Sequence, residues 1–431
     1  MKKYLIALSA FVAASFSTFA QGPSRDVQFW RPYDQRGVNV FETGKEDTVA
    51  FEGLKVRIGG HFAQQYQNIK HSNTANPVLN ANNVNLNQLI EIGGGTNLAT
   101  ANLNIDVELA DGLRMNLITY LSSRHHPESW VKGGFMQVDK LGFLNVGNTD
   151  WFDKYLTLRV GHMQINYGDA QFRRTDNGNA MYNPFVGNYI MDAFTTEVGG
   201  ELFFQNNGIL AMVALTGGEI QGGITNPTQR KPNFIGKLGY DKYVTDDLRI
   251  RLTGSIYTTK GSARNTLYGG DRAGSRYYLV MENTLATTAA NFTSGRFNPG
   301  LTDNITAMVL NPFVKFKGLE LFGNFEQAKG KARNEATDRT WNQVGADLVY
   351  RFGNSEKYYV AGRYNQVNGA LAGSGQEVSI DRIQVGGGWF VTRNVLAKLE
   401  YVNQNYNDFA ATDIRNGGKF NGLMIEAVIG F

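Results

Sequence analysis

The stretch NLNIDVELADGLRMNLITYL, Asn102 to Leu121, decides the fold class. Leu103, Ile105, Val107 and Leu109 alternate with Asn104, Asp106 and Glu108. An extended chain therefore carries one apolar face and one charged face, whereas a helix would scatter both sets around its circumference. Ala110, Asp111 and Gly112 interrupt the run, and Leu113, Met115 and Leu117 then alternate with Arg114 and Asn116. An Asp-Gly pair between two such segments predicts a β-hairpin.

The same unit recurs. EVGGELFFQ turns at Asn206-Asn207-Gly208 into ILAMVALTG, VLNPFVKF at Lys317-Gly318 into LELFGNFE, and RIQVGGGWFV at Thr392-Arg393-Asn394 into VLAKLEYVN. Short turns alternate with long Gly- and Asn-rich loops, as when one rim of a barrel carries tight turns and the other long external loops. SRYYLVME, from Ser275, has a strand-like pattern but breaks this parity, so it is expected as a hairpin within an external loop. Sixteen spanning strands remain, an even number with both ends on one side. The expected fold is all-β, a transmembrane antiparallel β-barrel with short periplasmic turns and long external loops.

Composition agrees. The chain has 50 Gly and only 9 Pro, with no helical period and no run of ~18 apolar residues after the first twenty. Aromatic residues near predicted strand ends suggest interfacial girdles: Tyr66, Tyr120, Trp130, Tyr155, Phe204, Tyr240, Tyr257, Tyr350, Phe352, Trp389 and Tyr401.

MKKYLIALSAFVAASFSTFA, residues 1–20, has the basic, apolar and small-residue regions of a signal peptide. Export to the outer membrane of a Gram-negative bacterium follows as an expectation, and with 0 Cys neither disulfides nor a lipidated cysteine can hold the chain. Residues 21–52 lack strand periodicity and are expected as a periplasmic or lumenal segment. The barrel itself is expected over 53–431. In the closing stretch NGLMIEAVIGF, Leu423, Ile425, Ala427, Ile429 and Phe431 share one face, expected to meet lipid, while Glu426 faces the lumen. This strand should pair with the one beginning near Leu54, and the final Phe431 resembles the terminal signal read by the barrel assembly machinery.

Catalytic chemistry is sparse. Of 5 histidines, His125 and His126 lie in a predicted loop without spaced partners, so no metal site is expected. His61 and His162 lie near strand ends and would need Ser, Asp or Asn partners; no catalytic residue is assigned. Gly93 to Gly95 and Gly386 to Gly388 lack the following helix and Gly-Lys-Ser/Thr of a phosphate loop, and are expected to bend strands or to let neighbouring side chains pack over them. No cofactor is implied. The net charge of +4 includes Lys2 and Lys3, which leaves the mature chain near neutral and offers no nucleic-acid surface.

The face opposite the apolar one should line the lumen. Its cations include Lys55, Arg57, Arg114, Arg159, Arg249, Arg251, Arg351, Arg363 and Arg382, and its carboxylates include Asp106, Glu108, Glu201, Glu320, Asp347 and Glu426. So many charges exclude a dry unpaired interior: they must be hydrated or paired. A barrel of sixteen strands has room for water. The predicted third external loop, Ile165 to Phe194, is rich in aromatics and carries Arg173, Arg174, Asp176 and Asp192. Folded inward, it would form a pore constriction from Arg159, Arg173, Arg174 and Asp176; the alternative is an external lid or crossing loop.

Three segments, NLNIDVELADGLRMNLITYL, LTLRVGHMQINYGDAQFRR and EVGGELFFQNNGILAMVALTGG, resemble the phosphate-selective porin O/P family. The resemblance implies a sixteen-stranded, homotrimeric outer-membrane channel for small anions, with basic residues at a constriction. The lumenal charge departs from that pattern, being nearly balanced, which favours general diffusion over phosphate selectivity.

The expected function is thus passive diffusion of small hydrophilic solutes with a weak anion preference. The expected partners are outer-membrane lipid, the barrel assembly machinery and further copies of the chain in a homotrimer. A second reading is a poorly conducting structural subunit of an outer-membrane complex. A third, a sugar channel with an aromatic track, has only Tyr257 and Phe390 as candidates.

Overall fold

The computed structural model describes residues 26–47, 49–125, 128–220, 230–262, 264–272, 274 and 276–431. The expected signal peptide and His126 lie outside the described residues. Seventeen strands follow in order: β1 (Lys55–Ser72), β2 (Gly95–Thr96), β3 (Thr100–Ala110), β4 (Leu113–Leu121), β5 (Trp130–Val138), β6 (Leu156–Gln164), β7 (Thr196–Asn206), β8 (Ile209–Thr216), β9 (Asn233–Tyr243), β10 (Leu248–Thr259), β11 (Asn304–Phe316), β12 (Leu319–Lys331), β13 (Arg339–Phe352), β14 (Tyr358–Ala370), β15 (Glu377–Thr392), β16 (Val395–Asn407) and β17 (Lys419–Gly430). β2 is a two-residue rung that extends the pairing of β1 beyond β3. The other sixteen form one closed antiparallel barrel, each paired with its neighbours.

Closure follows from alternation and register. β1 pairs with β3 from Lys55 opposite Glu108 to Ala63 opposite Thr100, and with β17 from His61 opposite Gly430 to Ser72 opposite Lys419. The backbone of Phe431 completes this seam by donating to Gly60 O and accepting from Gly60 N, at 3.1 and 3.0 Å. The hairpin turns sit where the sequence placed them. Asn207 and Gly208 have φ of 46° and 88°, and Gly112 has φ of 71°, the left-handed conformations that tight hairpins require.

The outer face is apolar and unburied within the protein: Ile58, Leu238, Leu321, Leu399 and Ile425 are each at least half exposed. A continuous band of this kind is stable against hydrocarbon and unstable in water. At the short-turn rim, Tyr155 stacks on Phe204, and Tyr350, Phe352, Tyr358 and Trp389 form a run of stacked rings. Tyr120 and Tyr257 do not belong to this belt. Both point inward and are buried, because their strand parity places them opposite the apolar face.

Three segments outside the strands fill much of the interior. Residues 26–47 enter from the short-turn rim, and residues 165–195 and the described residues of 260–303 fold in from the long-loop rim. SRYYLVME falls in the long loop between β10 and β11, on the expected rim. Its described residues form turns rather than a hairpin, since Arg276 and Tyr277 are drawn into the barrel by Glu426 and Glu400.

Candidate functional site: the lumen and its residual cavity

Each inward-facing cation is placed by the two-residue period of its strand, and what it meets depends on the loop beside it. Along β9 to β17 the loops close over the charges. Lys237 and Arg251 share Glu42 and Asp169, each contact at 2.7 Å. Arg249 grips Asp241 with Nε and Nη2 at 2.8 and 2.6 Å. Glu320 accepts from Arg351 at 2.6 Å and from Arg173 at 3.3 Å, and also from Asn39. Arg363 holds Asp347 through two bonds of 2.6 and 2.8 Å, and the Tyr189 hydroxyl donates to the same carboxylate at 2.9 Å. Glu426 is clamped by Lys398 and Arg276 at 2.5 and 2.7 Å. Arg382 donates to Gln404 and to the carbonyls of Asn188 and Gly295.

Small residues admit the loops. Tyr189 lies over Gly345, where a Cβ would stand 2.3 Å from its ring, and Tyr277 packs equally tightly against Gly187. Gly388 serves the ring of Tyr359 in the same way, which gives one of the glycine runs its packing role.

The third external loop lies inside the barrel, but its two arginines do not face open space. Arg173 is 2% exposed and paired with Glu320, while Arg174, 4% exposed, makes a bidentate pair with Asp192 at 2.6 and 2.9 Å and also contacts Asp271. They anchor the loop to the wall and to residues 260–303. Burial alone would raise the pKa of Asp271, but Arg174 and Arg296 hold it well below the usual carboxylate range. The stabilisation is thus complete at neutral pH and is lost only as pH falls through that depressed value. Asp176 reaches the other wall, where it pairs with Lys132 on β5.

Along β3 to β7 the interior stays partly open. A cavity of about 230 Å³ is bounded by these strands, by Asn166 to Phe194 of the inward loop, and by Phe29, Trp30, Arg31, Tyr33, Phe41 and Glu42 of the N-terminal segment. Its lining includes Arg114, Gln137 and Arg159 near the short-turn rim and Lys132, Gln164 and Thr196 toward the long-loop rim, so it extends along the height of the wall.

Strand register builds a row across this wall: Lys55 opposite Glu108, Glu108 opposite Arg114, Arg114 opposite Gln137, Gln137 opposite Arg159, and Arg159 opposite Glu201. Arg159 keeps 24% of its side chain exposed and contacts Glu201 at 3.3 Å. Arg57 lies 4.6 Å from the centre of the Tyr33 ring, Arg31 lies 3.6 Å from that of Tyr182, and Arg114 lies 4.3 Å from that of Trp30. His61 is enclosed by Tyr33 and Tyr182, and His162 contacts the Thr196 hydroxyl at 3.0 Å. His125 stacks on Trp130 with ring centres 3.9 Å apart. Among the described residues, no group of three or more His, Asp or Glu could hold a metal ion.

Sequence periodicity missed the residues that have none. Trp30, Tyr33, Asn39 and Glu42, and likewise Asp271, Tyr277 and Arg296, lie in irregular segments. The available signal was composition: aromatic residues and charges in stretches too apolar to be solvated tails. Lys132 was missed because the glycines and the β-bulge beside it blur the alternation of β5.

No protein-family profile matches the chain, and no curated protein matches it. Among solved structures, the anion-selective porin from Comamonas acidovorans is 13% identical, with a TM-score of 0.52 over 88% of this chain and 100% of that one. The outer membrane channel DcaP of Acinetobacter baumannii is 9% identical, with a TM-score of 0.50 over 89% and 99%. In-vitro-folded OmpT, an outer membrane protein of Vibrio cholerae in trimer form, is 10% identical, with a TM-score of 0.50 over 88% and 100%. The fold is that of outer-membrane β-barrels.

Proposed function

We propose that this protein is an outer-membrane porin for passive diffusion of small hydrophilic solutes, with a weak anion preference. The carrying observation is the cavity along β3 to β7, which persists over the height of the wall while the rest of the lumen is packed. The inward loop narrows the barrel, with Arg159, Lys132 and Asp176 on its open side and Arg173 and Arg174 as its anchors. Arg31, Arg57 and Arg114 add positive charge at close range, which favours anions. Phosphate fits as one such anion, but the mixed charge of the lumen favours general diffusion.

Outer-membrane location is supported by the apolar band, and a homotrimer by the trimer form of the Vibrio cholerae barrel. Phe431 serves as the assembly signal, so its deletion should lower membrane levels of folded protein while leaving the conductance of each inserted channel unchanged.

Planar-bilayer recordings in KCl test the porin reading: discrete conductance steps are expected, with a reversal potential in a salt gradient displaced toward chloride. The alternative, a structural barrel subunit, draws on the extensive ion pairing of the β9 to β17 half. A folded barrel without conductance would select it.

A further inference from the structure

Arg114 is 4% exposed, and its Nη1 has no hydrogen-bond partner. Asp139 approaches its Nε at 3.5 Å, but that carboxylate already accepts from Gln137 at 3.0 and 3.1 Å and from Thr157 at 2.8 Å. A buried guanidinium with an idle donor is costly unless something occupies it. Trp30 covers its face at 4.3 Å, and Arg114 belongs to the cavity lining, so a partner entering from the cavity would meet the guanidinium at its planar edge. That edge matches a carboxylate, which can accept two parallel N–H bonds.

The rest of the lining states what the carboxylate is attached to. Trp30, Phe135 and Phe172 present aromatic surface to the same space. At about 230 Å³ the cavity is smaller than the ~300–1,000 Å³ of sites for drug-sized molecules, which suits a single ring. The neighbouring carboxylates are engaged: Glu201 by Arg159 and the Asn166 N–H, Asp176 by Lys132, and Glu42 by Lys237 and Arg251. They would still repel a second negative charge on the ligand. Arg159 and Lys132 in the same lining are already shared with Glu201 and Asp176, so Arg114 beside the aromatic walls suits one carboxylate on one ring.

We propose that this cavity is a binding site for single-ring aromatic monocarboxylates, with the carboxylate on Arg114 and the ring against Trp30, Phe135 and Phe172. The proposal deepens the porin reading, because the lumen is the ligand's route to the site.

Calorimetric titration of the folded, detergent-solubilised full chain tests it, with benzoate as the probe and acetate, benzyl alcohol and phthalate as comparators. Benzoate should bind at least tenfold tighter than acetate, which lacks the ring, benzyl alcohol, which lacks the charge, and phthalate, which carries a second one. Arg114→Gln should weaken benzoate at least tenfold, and Trp30→Leu severalfold. If Arg114→Gln fails to fold, as judged by heat-modifiable gel mobility, Trp30→Leu carries the test. Benzoate binding no tighter than acetate, or unchanged in the folded variants, overturns the site. The porin reading fails separately: it is lost if benzoate binds but KCl conductance is absent, and it stands if KCl flows but benzoate does not bind.

Discussion

The two halves of the lumen are built from the same inward-facing residue types, yet they end in opposite states. From β9 to β17, most cations meet carboxylates, Arg382 meets Gln404 and loop carbonyls, and the loops lie across them. From β3 to β7, the N-terminal segment and the inward loop touch the wall at separate points, such as Trp30 on Arg114 and Asp176 on Lys132, and leave a cavity between them. What differs is the set of irregular residues brought to each wall. Lumenal charge by itself does not leave the lumen open; the loops that meet it decide.

The comparison can be broken at its largest element by deleting residues 26–47. Asn39 and Glu42 from this segment reach Glu320, Lys237 and Arg251 on the packed side, while Trp30 and Tyr33 cover the open side. The deletion should raise single-channel conductance severalfold. Unchanged conductance in a folded barrel would show that the segment does not obstruct the route.

Stability offers the next test. Glu320→Gln leaves Arg173 and Arg351 buried without their shared counter-charge, at a cost of about 3–5 kcal/mol. The temperature at which the barrel loses its heat-resistant gel mobility should fall, while the reversal potential stays put. A shift in selectivity without a loss of stability would place this pair in open solvent.

The smallest expected effect lies on the open wall. Arg159→Gln should move the reversal potential modestly toward cations, because Arg159 is partly exposed and shares its charge with Glu201. Arg173→Gln should leave it unmoved. Equal shifts for both substitutions would erase the distinction between the halves.

Much of the barrel was legible in the sequence because alternation is a local signal. The hairpin from Asn102 to Leu121, its Asp-Gly turn and the seam between β1 and β17 all follow from side-chain parity. The inward aim of Arg57, Arg114 and Arg363 follows from the same parity. The fate of those charges does not, because it depends on contacts far apart in sequence. Glu42 meets Lys237, and Arg276 meets Glu426, with no periodicity to announce either pairing. Tyr120 and Tyr257 show the limit from the other side: an aromatic near a strand end can face either way, and only its register decides.

Tyr33 carries one more consequence. Its ring lies where a Cβ of Gly59 would stand 2.6 Å away, and its carbonyl lies where a Cβ of Gly430 would stand 1.8 Å away. Its socket is therefore composed of the first spanning strand and the last, and has no existence in a half-wound sheet. The complete socket exists only where β1 and β17 meet. Loss of this one ring contact would therefore report an open seam, however completely the other strands are paired.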